Sequence, residues 1–118
     1  MTTPADLSAE DAKLVVLARA TKARIGAAEG AALRDLDGRT YASATLTLPS
    51  LEVSALAGCL AMASSSGAKG VEAAVVLGTG ELAVADRVAL AEFAGAGVPV
   101  HLGSASGAIS GTVITVDA

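Results

Sequence analysis

The chain has 118 residues, of which 53% are hydrophobic and only 2% aromatic, and its formal net charge is −4. That length forms one domain around a single core, and an acidic balance without a dense basic patch excludes a nucleic-acid-binding role. A single cysteine, Cys59, excludes an internal disulfide and any CxxC metal knuckle.

With so few aromatic residues, the core has to be built from Ala, Val and Leu. Each of these side chains buries little area, so the elements pack closely and apolar surface is left over. Further copies of the chain are the simplest cover for that surface, and a homo-oligomer is expected. The stretch MTTPADLSAEDAK carries acids where a secretion signal needs basic and apolar regions, which points to a cytoplasmic protein. Residues 1–118 read as one domain with its first few residues frayed.

Ser8 and Asp11, just ahead of an apolar-periodic run, form a helix cap. Leu14, Val15, Leu17, Ala18 and Ile25 then share a stripe, so a first helix is predicted over Ala9 to Arg24, ended by Gly26. Gly30 to Leu33 and Arg39 to Thr45 are strand-like runs about Asp37-Gly38, the strongest short-range hairpin signal in the chain.

Thr47 to Gly67 is the longest apolar stretch, and it is predicted as a central helix. Pro49 and Ser50 suit a helix start, Glu52 suits the positive end of the helix dipole, and Gly67 is a natural stop. Beyond the first turn it carries no charge, so it is expected to be buried all round. It is short and poor in large side chains for a membrane span, which leaves it lying on a sheet in a soluble domain.

Gly70 to Gly78 reads as a strand buried on both faces. Leu82 to Phe93 returns to helical spacing, and Val98 to Leu102 and Ile109 to Val116 supply two further strands. The order α-β-β-α-β-α-β-β implies an α/β fold, a three-layer α-β-α sandwich about a five-stranded mixed sheet.

Some candidate chemistry falls away on inspection. Gly78-Thr79-Gly80 lacks the Lys-Ser/Thr of a phosphate loop and reads as a turn. Ser64-Ser65-Ser66 is a polar helix end, Cys59 is a small buried hydrophobe, and His101 points away from Val100 and Leu102 as a surface or satisfied histidine.

The element order, with Gly30-Ala31-Ala32-Leu33, Asp37-Gly38-Arg39-Thr40-Tyr41, Ser50-Leu51-Glu52 and Leu82 to Phe93, resembles the small zinc-dependent cytidine deaminases over nearly the whole chain. Those enzymes carry a VGAAL hairpin with DG-R-x-Y, a helix opening on Cys/His-Ala-Glu-Arg-x-Ala, and a later helix opening on PCGxCRQxLxEF. The resemblance implies the fold above and a homodimer or homotetramer. Placed residue by residue, it puts the metal ligands on Ser50, Ala83 and Asp86, the proton-shuttling glutamate on Glu52, and the helical arginine on Arg87. Serine and alanine cannot supply the thiolate or imidazole donors that zinc needs. The family's ribose-gripping Asn-x-Glu would fall near Thr45-Leu46-Thr47, and its base-packing aromatic on Ala27 or Ala28.

The reading that follows is a cytidine deaminase-like pseudoenzyme without zinc or any other cofactor, acting as an oligomeric scaffold or binding protein. Its partner would be a small nucleoside or a protein, not nucleic acid or membrane. The alternative is a divergent nucleoside deaminase that uses Glu52 with an unusual ligand set, including zinc. As a bland role, Glu52 would simply stabilise a helix N-terminus.

Overall fold

α1 spans Ala9–Ile25; its cap residue Ser8 accepts the Asp11 N–H at 3.0 Å, and Gly26 ends it in the left-handed region at φ 62°. The computed structural model describes residues 7–117, and the fraying expected of the first few residues lies outside that range. β1 (Gly30–Asp35) and β2 (Thr40–Ala44) pair antiparallel about the Asp37-Gly38 turn. Asp35 locks the turn: its carboxylate accepts the Asp37 and Arg39 N–H groups and the Tyr41 hydroxyl, each at 2.9 Å.

The chain then departs from the sequence expectation. Residues predicted to begin the central helix instead form a small hairpin, β3 (Leu46–Leu48) and β4 (Leu51–Val53), with Leu46, Thr47 and Leu48 opposite Val53, Glu52 and Leu51. Pro49 and Ser50 make its two-residue turn rather than a helix start. Period-two alternation of Leu46, Leu48, Leu51 and Val53 about Thr47 and Glu52 outweighs the capping preference of Ser50.

α2 therefore begins later, at Ala55–Ser65, capped by Ser54, whose hydroxyl accepts the Ala57 N–H at 3.1 Å. It is not buried all round either. Ala55, Leu56, Cys59, Leu60 and Ala63 face the core, while Ala61 and Met62 face outward.

β5 (Val71–Gly78), α3 (Val84–Ala94), β6 (Pro99–Ser104) and β7 (Ile109–Ile114) complete the fold. The five-stranded sheet runs β2-β1-β5-β6-β7, with only β5 and β6 parallel. Alternation along the strands feeds two cores. Leu14 and Ala18 of α1 meet Ala32, Ala73, Val75, Leu77 and Ile109 on one face. The other face packs Ala31, Leu33, Ala74, Val76, Val100 and Leu102 against Leu56, Cys59, Leu60 and Leu90 of α2 and α3. The architecture is the expected α-β-α sandwich. No helix among the described residues is long and apolar enough to cross a membrane.

Candidate functional site

In sheets of this kind the crevice at the carboxyl ends of parallel strands, where helices begin, is the place where binding chemistry collects. Here β5 ends at Gly78 and β6 at Ser104, and the N-termini of α2 and α3 converge on the same end. The Ser54 hydroxyl, while capping α2, donates to Asp86 Oδ1 at 2.7 Å. Asp86 stands in the first turn of α3, whose own cap position, Ala83, makes no side-chain hydrogen bond.

Glu29 closes the third side. Its N–H donates to Thr45 Oγ1 at 3.0 Å, and its carbonyl accepts the Thr45 N–H at 3.0 Å. Its side chain lies so close over Gly78 that a Cβ there would come within 2.7 Å of Glu29 Cγ, so only glycine fits. Burial, and then the nearby charge of Asp86, push the Glu29 carboxyl above the ordinary glutamate range. Ser54 and Asp86 thus join two helix N-termini by a hydrogen bond, with the Glu29 carboxyl near enough to feel the charge of Asp86.

A raised carboxylate pKa favours the protonated form in the fold, so the penalty is absent in acid and grows as pH rises through the folded pKa. Glu29→Gln, which keeps the shape without the charge, is expected to raise Tm at pH 7 and leave it unchanged at pH 3. A thermal melt at each pH checks this.

The residues singled out from the sequence are only partly brought together. Asp86 and Ala83 sit at the junction. Ser50 and Glu52 do not: Ser50 is in the exposed hairpin turn and Glu52 is solvent-exposed on β4. Arg87 is exposed one position beyond Asp86. Cys59 is buried, donates to the Tyr41 carbonyl at 3.6 Å, and has its thiol pushed up to about 12 by burial. Ser54 and Glu29 were missed, although the hairpin alternation ahead of Ser54 could have moved the cap to it.

His101 lies on the opposite face of the sheet and is 6% exposed. Its Nε2 meets Asp11 Oδ2 and its Nδ1 meets Thr112 Oγ1, both at 2.8 Å. Arg34, 9% exposed, donates from Nη2 to Asp11 at 2.8 Å and from Nε to Glu72 at 2.6 Å. This network ties the start of α1 to β1, β5, β6 and β7, so the histidine is a satisfied structural one. Among the described residues, no group of three or more His, Cys, Asp or Glu side chains comes together that could hold a metal ion.

A family model described as cytidine deaminase-like matches residues 7–107 of the chain. Among solved structures, the cytidine deaminase from Burkholderia pseudomallei is similar at 21% identity and a TM-score of 0.77, with 92% of this chain and 94% of that chain covered. The cytidine deaminase from Mycobacterium leprae is similar at 17% identity and a TM-score of 0.73, over 92% and 95% of the two chains. That from Mycobacterium tuberculosis is similar at 20% identity and a TM-score of 0.69, over 79% and 85%. At these identities the likeness shows the fold. No curated protein matches the chain in sequence.

Proposed function

The chain belongs to the cytidine deaminase-like family, and from that premise we propose that it is a member without zinc-dependent deamination, acting as a homo-oligomeric scaffold or binding protein. The observation that carries this reading is the Ser54 to Asp86 hydrogen bond at the meeting point of α2 and α3. With α2 starting after Ser54, the ligand position implied at its start falls on Ser54 rather than Ser50. The proton-shuttle position two residues on falls on Leu56 rather than Glu52.

The side chains at that junction do not fit a zinc ion. Zinc in such a site takes at least three nitrogen, sulfur or carboxylate donors, whereas Ser54, Ala83 and Asp86 offer a neutral hydroxyl, a methyl group and one carboxylate. That carboxylate is already engaged by Ser54. Leu56 is 1% exposed and packed in the core, so the shuttle position holds an aliphatic side chain. Glu52, on an exposed strand, does not favour the alternative of a divergent deaminase.

Nucleoside recognition has little support. Thr45, in the segment where a ribose grip would lie, spends its hydroxyl on Glu29. Polar groups aimed at substrate hydroxyls are what give large discrimination, and their absence removes it. Fold and chemistry separate here because chemistry resides in the site.

For self-association, the β3–β4 hairpin offers Leu48 and Leu51 at 50% exposure each, and α2 and α3 offer Met62 at 39%, Val84 at 67% and Val88 at 42%. Gly58 packs inside the chain instead: a Cβ there would lie 2.2 Å from Ser43 Oγ. The test is a deaminase assay on cytidine and deoxycytidine beside a thermal shift against the same nucleosides. The scaffold reading expects neither turnover nor stabilisation; stabilisation without turnover would make the protein a nucleoside-binding module, and turnover would overturn the proposal.

A further inference from the structure

The β3–β4 hairpin stands away from the rest of the fold. Thr47 to Glu52 are exposed without a break, and only Leu46 and Val53, at its base, are partly covered. Its strands are three residues each and pair with one another in a sheet separate from the five-stranded one. A two-stranded hairpin with so little of it covered is marginal in water.

Its hold on the body of the protein is at its two roots. Thr45, just before β3, accepts the Glu29 N–H on its hydroxyl and donates its own N–H to the Glu29 carbonyl, each at 3.0 Å. Ser54, just after β4, donates its hydroxyl proton to Asp86 Oδ1 at 2.7 Å. Both anchors are built into the packed layers. Glu29 leads into β1 at Gly30, where the backbone lies so close to α1 that a Cβ would come within 2.2 Å of the Ala18 carbonyl, and Asp86 is in the first turn of α3. The apolar pair Leu48 and Leu51 sits at the far end, beside the Pro49-Ser50 turn.

We propose that this hairpin is an arm that opens as a unit about Thr45 and Ser54, with the Ser54–Asp86 hydrogen bond as its latch, while the five-stranded sheet stays formed. Local opening costs far less than global unfolding where few buried apolar contacts are lost. Opening separates Leu48 from Leu51 and frees the Asp86 carboxylate, so the latch governs how much of the time the apolar tip is presented. α2 keeps its cap throughout, because the Ala57 N–H bonds to the Ser54 oxygen and not to its proton. The motion belongs to one chain and needs no second copy. Thr45 and Asp86 are positioning residues for the arm.

The test is amide hydrogen exchange on the full chain at one pH and one protein concentration, with β5 amides reporting global unfolding. In the wild type, β3 and β4 amides are expected to exchange faster than β5 amides and with a weaker dependence on denaturant. Asp86→Ala is expected to speed hairpin exchange about tenfold, because a hydrogen bond to a carboxylate is lost. Asp86→Asn removes the same charge from α3 but keeps an oxygen for Ser54, and its hairpin is expected to exchange nearly as slowly as the wild type. Thr45→Val is expected to speed the hairpin about fivefold. Hairpin amides that exchange only together with β5, an Asp86→Ala hairpin no faster than the Asp86→Asn one, or a Thr45→Val hairpin like the wild type would overturn the proposal. None of these outcomes bears on turnover or nucleoside binding, so the arm and the scaffold reading fail separately.

Discussion

Replacing Ser54, Ala83 and Asp86 together with cysteine is expected to give a protein that takes up one zinc ion per chain. Ser54 Oγ already lies 2.7 Å from Asp86 Oδ1, and Ala83 is three residues before Asp86 at the start of the same helix. Three thiolates there would stand at two helix N-termini, where the positive dipole ends lower thiol pKa values. Such a donor set suits tetrahedral zinc with one position left to water. Zinc at a thousand times its Kd would then add about 4 kcal/mol of stability. Metal analysis after dialysis, with a melt in the presence and absence of zinc, reads the result. The matched control Ser50→Cys/Ala83→Cys/Asp86→Cys is expected to bind no zinc tightly, because residue 50 is in the hairpin turn. Equal uptake by both variants would mean that the helix ends do not set the site.

The second large effect is expected on the other face of the sheet. Asp11 holds both Arg34 and His101, at 2.8 Å each, with its side chain only 14% exposed. Asp11→Ala leaves a buried guanidinium with Glu72 as its one remaining anionic partner. Breaking a buried pair in this way costs about 3–5 kcal/mol. For a domain of this size that corresponds to a Tm lower by about 10–25 °C.

The pH dependence has a definite sign. Burial alone would raise the Asp11 pKa, but the hydrogen bonds and charges of Arg34 and His101 outweigh it and hold the carboxyl below its ordinary value. A depressed carboxylate stabilises the fold fully above its ordinary pKa of 3.8, and the contribution is lost as pH falls through the lower folded pKa. Wild type and Asp11→Ala should therefore differ most near neutrality and converge in strong acid. A gap that stays constant down to pH 2 would sink this assignment.

The sheet was legible because its signals are local. Asp37-Gly38 fixes the first hairpin, and the apolar run Ala73 to Leu77 reads as a strand covered on both sides, with only Glu72 ahead of it exposed. α1 was legible from its caps at Ser8 and Gly26. The start of α2 was not, because Pro49-Ser50 satisfies both a turn and a helix cap, and the alternation around Glu52 decided between them. With the cap at Ser54, Glu52 lies exposed on β4 rather than in the first turn of α2.

Other features left no local trace. Asp11 and His101 are 90 residues apart in the chain, and no pattern in sequence announces their pairing. Glu29 lies just before β1, and only the close approach at Gly78 and the neighbouring Asp86 give its carboxyl a distinctive environment. Composition, by contrast, already showed that a set of two or three cysteine ligands cannot be assembled within one chain, since Cys59 is the only cysteine.

The most direct measurement is the zinc content of wild-type protein produced in zinc-supplemented cells and purified without chelator. With a hydroxyl, a methyl group and an engaged carboxylate at the helix junction, the expected result is far less than one zinc per chain. Stoichiometric zinc that is lost on Asp86→Ala would contradict the account.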